Sequence, residues 1–282
     1  MSELRKIDEK SWPKVHTFLL KHISSSMFLI SNFEDHGANI GEHINSGNYY
    51  YRWEGDRVTG VFSYTLRGNI LFQDGGIPFN SHEVIARIKV DIPSPLLRGS
   101  VGTEPSAKNF FEDMAALNII GPHFASSEVL YSLDLNGKSF TKIEGTLSKE
   151  DFSQWHSMML AFSNEVGLGD PLTQEQYQIN FEKQLERKSI LGIKKNGELI
   201  SVANLNARYK NLGQVGGVYT LPDYRKKGLA KEVMSRFMNH AVAVLGIDTM
   251  ILFTGQENAA ARALYEGLGY KEIGRFGLYL GK

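Results

Sequence analysis

"GGVYTLPDYRKKGLAKEVMSRF", Gly216–Phe237, decides how this chain is read. A β-forming run, Gly217-Val218-Tyr219-Thr220, meets Pro222. Three cations follow, Arg225, Lys226 and Lys227, and then Gly228-Leu229-Ala230 opens an amphipathic run. The pattern predicts a strand, a turn and a helix. The first turn of a helix carries backbone N–H groups with no intrahelical acceptor, and the helix dipole adds positive potential there. Cations at that point oppose the dipole unless an anion compensates. Gly228 has no side chain, so a phosphate could approach the backbone closely. On these residues alone, the turn fits either a pyrophosphate cradle or a solvated loop whose cations cluster. It is neither a G-x-x-x-x-G-K-[ST] loop nor a G-x-G-x-x-G dinucleotide fingerprint.

Working outward, "SILGIKKNGELISVANLNARY" before this stretch predicts a hairpin turning at Asn196-Gly197. "TLSKEDFSQWHSMMLAFSNEVG" predicts a helix with Ser148 as N-cap, Asp151 reaching back and Gly167 as the stop, and "LTQEQYQINFEKQLERK" a second helix. After it come a buried strand "TMILFT", a helix "NAAARALYEGLG" and a final hairpin "YKEIGRFGLYLGK". The first half reads alike: helical over residues 10–34, three strands in "NYYYRWEG", "VTGVFSYTL" and "NILFQ", a helix "SHEVIARIKV", a strand "LLRGSVG" and a helix "EPSAKNFFEDMAAL" with Pro105 near its start. Both halves therefore predict the order α–α–β–β–β–α–β–α without clear sequence identity. The expected boundary gives domains 1–127 and 128–282, each α/β with a mixed central sheet flanked by helices.

Composition sets bounds. Among 282 residues, Lys+Arg and Asp+Glu are both 31, so no global field attracts nucleic acid or an anionic membrane, and any anion site must be local. The chain has no Cys, which excludes disulfides, thiol nucleophiles and Cys-ligated metal. The 8 His form no H-E-x-x-H or H-x-x-x-H pair, so no metal site is expected. The start, "MSELRKIDEKSWPKV", is charged and does not read as a secretory signal, and no apolar run is long enough to span a bilayer. The expectation is a soluble cytoplasmic protein.

Two motifs together give a resemblance. Arg225-x-x-Gly228-x-Ala230, preceded by "GGVYTLPDY", resembles the acyl-CoA pyrophosphate loop of the GCN5-related N-acetyltransferases (GNAT), and "NAAARALYEGLGY", Asn258–Tyr270, resembles that superfamily's second signature. The likeness covers about residues 148–282. The wording is most similar to a branch resembling the glycine N-acyltransferase C-terminal domain, whose members often carry a degenerate N-terminal copy of the fold. It implies tandem GNAT-like domains and an acetyl-CoA-dependent transfer of an acetyl group to a primary amine of a small molecule, by direct attack in a ternary complex. Val218, Tyr219 and Thr220 would lie on a strand that splays from "TMILFT". Backbone groups of Val218 and Thr220 would pair with the pantetheine amides, and Val218 N–H would suit the thioester oxygen. N–H groups from Lys226 through Gly228 and Leu229 to Ala230 would hold the pyrophosphate, with charge from the Arg225 and Lys227 side chains. Asn258 would bond the pantetheine arm, with Ala261 on the same helix face; Arg262 would meet cofactor or solvent. Tyr265 would donate to the departing thiolate or pack in the core with Leu264 and Leu268.

For a general base the candidates are Glu257, Glu165, His156 and Asp223, beside deprotonation through water. Gln214 stands on the strand before the loop and cannot act as a base. Two further readings stay open, a CoA-binding sensor without turnover and an acetyltransferase for protein lysines or N-termini. In the first half the corresponding turn, Asp74-Gly75-Gly76-Ile77-Pro78-Phe79-Asn80, has no cation; Asp74 would repel a phosphate and Pro78 removes a donor. This half is expected to bind no cofactor. Tyr49, Tyr50, Tyr51 and Trp53 are read as core residues or as the lining of a cleft.

Overall fold

A computed structural model describes residues 2–137, 145–167 and 172–282. By its internal contacts the chain falls into two units, Met1–Val129 with Gly274–Lys282, and Leu130–Ile273.

In unit 1 the order is β1 (Ser2–Lys6), α1 (Trp12–Lys21), α2 (Ile23–His36), β2 (Gly47–Glu54), β3 (Arg57–Thr65), β4 (Asn69–Gln73), α3 (Ser81–Asp91), β5 (Gly99–Thr103) and α4 (Glu104–Ala116). The chain continues through β6 (Pro122–Asp134), α5 (Phe152–Val166), α6 (Gln174–Glu186), β7 (Ile190–Lys195), β8 (Glu198–Tyr209), β9 (Leu212–Thr220), α7 (Leu229–Ala243), β10 (Thr249–Gly255), α8 (Ala259–Gly267) and β11 (Lys271–Gly281). The expected repeat of element order is present and each series opens with a strand: "VLYSLDL", which the sequence predicts as a strand, lies in β6 at the head of the second, and β1 heads the first. β1 went unread because "SELRK" carries no run of β-formers and is recognisable only by its pairing with β2. The expected final hairpin is instead one strand: Phe276–Leu280 pair antiparallel with Thr103–Gly99. Gly274 and Gly277, which suggested a turn, lie inside it. That pairing is why Gly274–Lys282 counts with unit 1 and not with the second domain expected from sequence.

The strand order in unit 1 is β1-β2-β3-β4-β5-β11, and in unit 2 it is β6-β10-β9-β8-β7, of which β6 contributes Leu130–Asp134. β4 with β5 in unit 1 and β9 with β10 in unit 2 pair parallel. The core of unit 1 packs Tyr50, Phe62, Phe72, Phe79 and Phe110 between sheet and helices. Tyr49 and Tyr51 are also buried, while Trp53 is half-buried. The core of unit 2 packs Trp155 and Met158 of α5 and Phe181 of α6 against Val202 and Tyr219. Local signals hold where they were explicit. Ser148 and Asp151 form a capping box around a 3-10 turn, and Gly167 ends α5 in the left-handed region. Thr173 and Gln176 form a second box at the start of α6. Among the described residues, no helix is long and apolar enough to cross a membrane, and no group of three or more His, Asp or Glu could hold a metal ion.

Candidate active site

Four residues of β9, Leu212–Val215, pair with Thr249–Leu252 of β10; beyond Val215 the two strands pair no further. β9 continues to Thr220 against β8 alone. Its register there shifts from Asn204↔Gly216 to Val202↔Tyr219, so three steps of β9 match two of β8, a β-bulge. Gly217 occupies the bulge at φ +57°, and a Cβ there would collide with the side chain of Asn204. Past the bulge, Leu221 N–H donates to Ile200 O at 3.0 Å. By alternation Tyr219 and Leu221 face β8, while Val218 and Thr220 turn their backbone groups toward the side β10 has left. Val218 is half-buried and Thr220 buried.

The loop after β9 begins with a 3-10 turn, Pro222–Tyr224, closed by Arg225 N–H donating to Pro222 O at 3.1 Å. Lys226 then takes φ +60° and Gly228 φ +79°. Gly228 is the N-cap of α7 and supplies no side-chain cap. The first backbone bond of the helix runs from Glu232 N–H to Gly228 O at 3.0 Å. Among the described residues, the N–H groups of Lys226, Lys227, Gly228, Leu229 and Ala230 therefore have no acceptor. A Cβ on Gly228 would meet nothing within 4 Å, so the glycine serves the backbone turn and leaves its outer side open. In α3, which follows β4 as α7 follows β9, Asn80 accepts from Glu83 N–H and caps the corresponding turn.

The three cations of the loop are held differently from the expectation. The Arg225 side chain does not extend outward. Its Nη1 and Nη2 donate to Glu165 Oε1 and Oε2 at 2.8 and 2.6 Å, its Nε donates to Thr220 O at 3.0 Å, and the guanidinium lies 5.3 Å from the Tyr219 ring centre. Those hydrogen bonds hold the Glu165 carboxyl below the usual range and raise Arg225 further. Glu165 is thus a poor candidate for the base. Lys227 Nζ donates to Asp223 O at 2.8 Å and lies over Tyr224. Lys226 is exposed and has no polar side-chain partner among the described residues.

Of the other acid–base candidates, His156 stacks on Phe152 and packs against Tyr177. Asp223 and Glu257 are exposed. Gln214 is buried; its Nε2 donates to Val215 O at 2.8 Å and its Oε1 has no partner among the described residues.

β10 leads into α8 at Asn258, whose Oδ1 accepts from Ala261 N–H at 3.0 Å. The amide nitrogen of Asn258 has no acceptor among the described residues. Arg262 is turned inward: Nε donates to Tyr131 Oη at 3.2 Å, and Nη2 lies 3.7 Å from Glu266 Oε1. Tyr265 is buried, with its ring centre 6.4 Å from Tyr131 and 5.9 Å from Tyr270. Tyr131, which sequence reasoning passed over, joins this helix to β6 by donating to Glu266 Oε1 at 2.6 Å. Burial, then the Glu266 carboxylate, push its phenol up. Nothing in "VLYSLDL" signals that role, because its partners lie more than a hundred residues away.

The model of the Acetyltransferase (GNAT) family matches residues 151–270, which covers the loop, α7, β10 and α8. Solved structures share the fold along nearly the whole chain. A Drosophila protein matches at TM-score 0.65 and 16% identity, over 98% of this chain and 98% of that one. A GCN5-related N-acetyltransferase from Sphaerobacter thermophilus matches at 0.62 and 13% identity, over 99% and 95%. A tandem GNAT protein from the clavulanic acid biosynthesis pathway matches at 0.56 and 11% identity, over 100% and 98%. No curated protein sequence matches. The fold is therefore that of tandem GNAT-like α/β domains. These identities bear on the fold alone.

Proposed function

We propose that this chain is an acetyl-CoA-dependent N-acetyltransferase acting on the primary amine of a small molecule, with its cofactor site in unit 2. The reading draws on the family match over residues 151–270 and carries with it a cytoplasmic enzyme of the branch resembling glycine N-acyltransferase, whose first unit is degenerate. One observation carries it: β9 leaves β10 at Val215, and the loop that follows ends in a run of N–H groups, Lys226–Ala230, with no protein acceptor. An extended amide chain fits the first feature and a pyrophosphate the second.

The residues present fit such a ligand. Val218 and Thr220 N–H face the open side of β9 and suit an arm laid along it. Lys226–Ala230 N–H, with the charge of Lys226 and Lys227, suit the phosphates. The Asn258 amide nitrogen is a further donor to the arm, and Val218 N–H suits an oxygen that gains negative charge. The thioester supplies the activated acetyl group, and the amine must be neutral to attack it. Tyr265 is the one side chain proposed to donate toward the departing sulfur. Of the base candidates, Glu165 is held by Arg225, His156 is packed between Phe152 and Tyr177, and Asp223 and Glu257 are exposed, so the amine would lose its proton through water.

The test is thermal unfolding with acetyl-CoA. A ligand that binds only the folded chain adds about 2.7 kcal/mol at a hundredfold excess over its Kd. The wild-type transition should rise with acetyl-CoA, and Gly228→Glu, which sets a carboxylate against the phosphates, should respond far less. Equal shifts in both proteins would remove the site. A second reading, cofactor binding without turnover, is favoured by the burial of Tyr265 between two other tyrosines; thioester hydrolysis that no amine stimulates would support it.

A further inference from the structure

We infer that Arg225 is a strut of this site and not a phosphate ligand, and that Glu165 positions it. The inference rests on the acetyl-CoA reading for its setting. An arginine grips a phosphate through the planar fork of its guanidinium. In Arg225 that fork is closed on one carboxylate, with Nη1 and Nη2 at 2.8 and 2.6 Å from the two Glu165 oxygens. The remaining nitrogen, Nε, caps Thr220 O at 3.0 Å. The Tyr219 ring lies 5.3 Å from the guanidinium carbon and covers it.

Each of these contacts ends on the splayed segment of β9 or on the last turn of α5. Thr220 and Tyr219 belong to the segment beyond the last β10 pairing. Glu165 belongs to α5, and Phe162, one turn earlier, sets its ring edge-on to Tyr219 at 6.0 Å. Arg225 therefore ties the free end of β9 to α5. It satisfies a carbonyl that would otherwise face the open side without a partner. Its charge is cancelled by Glu165, so the positive potential at the N-terminus of α7 comes from Lys226 and Lys227. Glu165 holds the fork in the plane that presents Nε to Thr220, and its Oε2 also accepts a long bond from Tyr219 Oη at 3.5 Å.

Calorimetric titration of acetyl-CoA into the full chain, repeated from about 50 mM to 0.5 M NaCl, separates a strut from a phosphate ligand, because a direct charge contact is screened by salt and a geometric one is not. The variants are Arg225→Met, Glu165→Gln, the two combined, and Lys226→Met. The strut predicts that Arg225→Met and Glu165→Gln each weaken binding by about threefold to tenfold. The double variant should be no worse than the poorer single one. All three should keep the wild-type salt dependence, while Lys226→Met flattens it. Tighter binding by Glu165→Gln would mean that freed Arg225 reaches the phosphates, and would overturn the inference. So would a salt dependence flattened by Arg225→Met as much as by Lys226→Met. Thermal unfolding of the same variants without ligand is the second arm. Non-additive losses of about 2 °C support the strut, and additive or absent losses overturn it. If the wild-type chain binds no acetyl-CoA, the acetyltransferase reading fails, and the unfolding arm still decides the strut.

Discussion

Tyr265 sits two turns into α8 and is 8% exposed, its ring set between those of Tyr131 and Tyr270. The same packing would serve a core tyrosine and a rigidly aimed donor, and the hydroxyl distinguishes them. Tyr265→Phe keeps the ring and its neighbours. For a donor to the departing thiolate, kcat and kcat/KM should fall together by about 10²-fold, the low end for acid catalysis, while acetyl-CoA affinity holds. Steady-state rates on any amine that is turned over check this. Unchanged rates with a stability loss of about 1 kcal/mol would make Tyr265 a packing residue. At this scale the sequence was legible where a role depends on backbone conformation at a turn. Gly228 read as a special position and takes positive φ, while Gly217, read only as part of the strand, takes it as well at the bulge. It was not legible where a role depends on a distant partner. Glu165 read as a possible base because nothing near it in the chain announces Arg225, 60 residues on. Arg262 read as a residue for cofactor or solvent because its partner Tyr131 lies on another element.

Among the elements, α5 shows how a helix start is held. Asp151 accepts from Ser148 N–H at 2.9 Å and pairs with Lys194 of β7 at 2.6 Å, so it caps the turn and clips it to the sheet. Burial raises its carboxyl, but Lys194 and the Ser148 bonds outweigh burial and leave it below the usual value. A group with a depressed folded value contributes stability above its unfolded value, about 3.9, and loses it as pH falls through the folded one. Asp151→Asn should therefore melt about 2–4 °C below wild type at neutral pH, from the loss of about 1 kcal/mol. The gap should close as the pH drops below about 4, which melting curves across pH would follow. A gap that is constant down to pH 2 would show that the charge is irrelevant. The capping box was legible as Ser148-x-x-Asp151, but the clip to Lys194 was not, since it joins two elements. β1 and β11 mark the same limit. A short charged strand and a strand interrupted by Gly274 and Gly277 are defined by their neighbours in the sheet, and no periodicity reveals them.

For the molecule as a whole, the two units carry one element order and differ where a ligand would lie. In unit 1, β4 pairs with β5 over Asn69–Phe72, all but its last residue, so no strand splays. Asn80 caps α3. The loop between them is filled from within: Arg52 of β2 sends Nη2 to Asp74 O and Ile77 O at 3.0 and 2.8 Å. Asp74, expected to repel a phosphate, instead turns inward, its carboxylate accepting from Ser106 Oγ at 2.8 Å and Gly76 N–H at 2.9 Å. Calorimetric titration with acetyl-CoA should accordingly give about one site per chain, the number expected from a single uncapped helix start beside an unpaired strand. About two sites would show that unit 1 opens. The pairing of β11 with β5 has another consequence, for biosynthesis. The strand that completes unit 1 is translated only after the 144 residues of unit 2, which at about 5–20 residues per second is a delay of roughly seven to thirty seconds. Through that interval the β5 edge of the nascent chain stays open, an invitation to strand-pairing with neighbouring polypeptides that chaperones on the ribosome would have to shield.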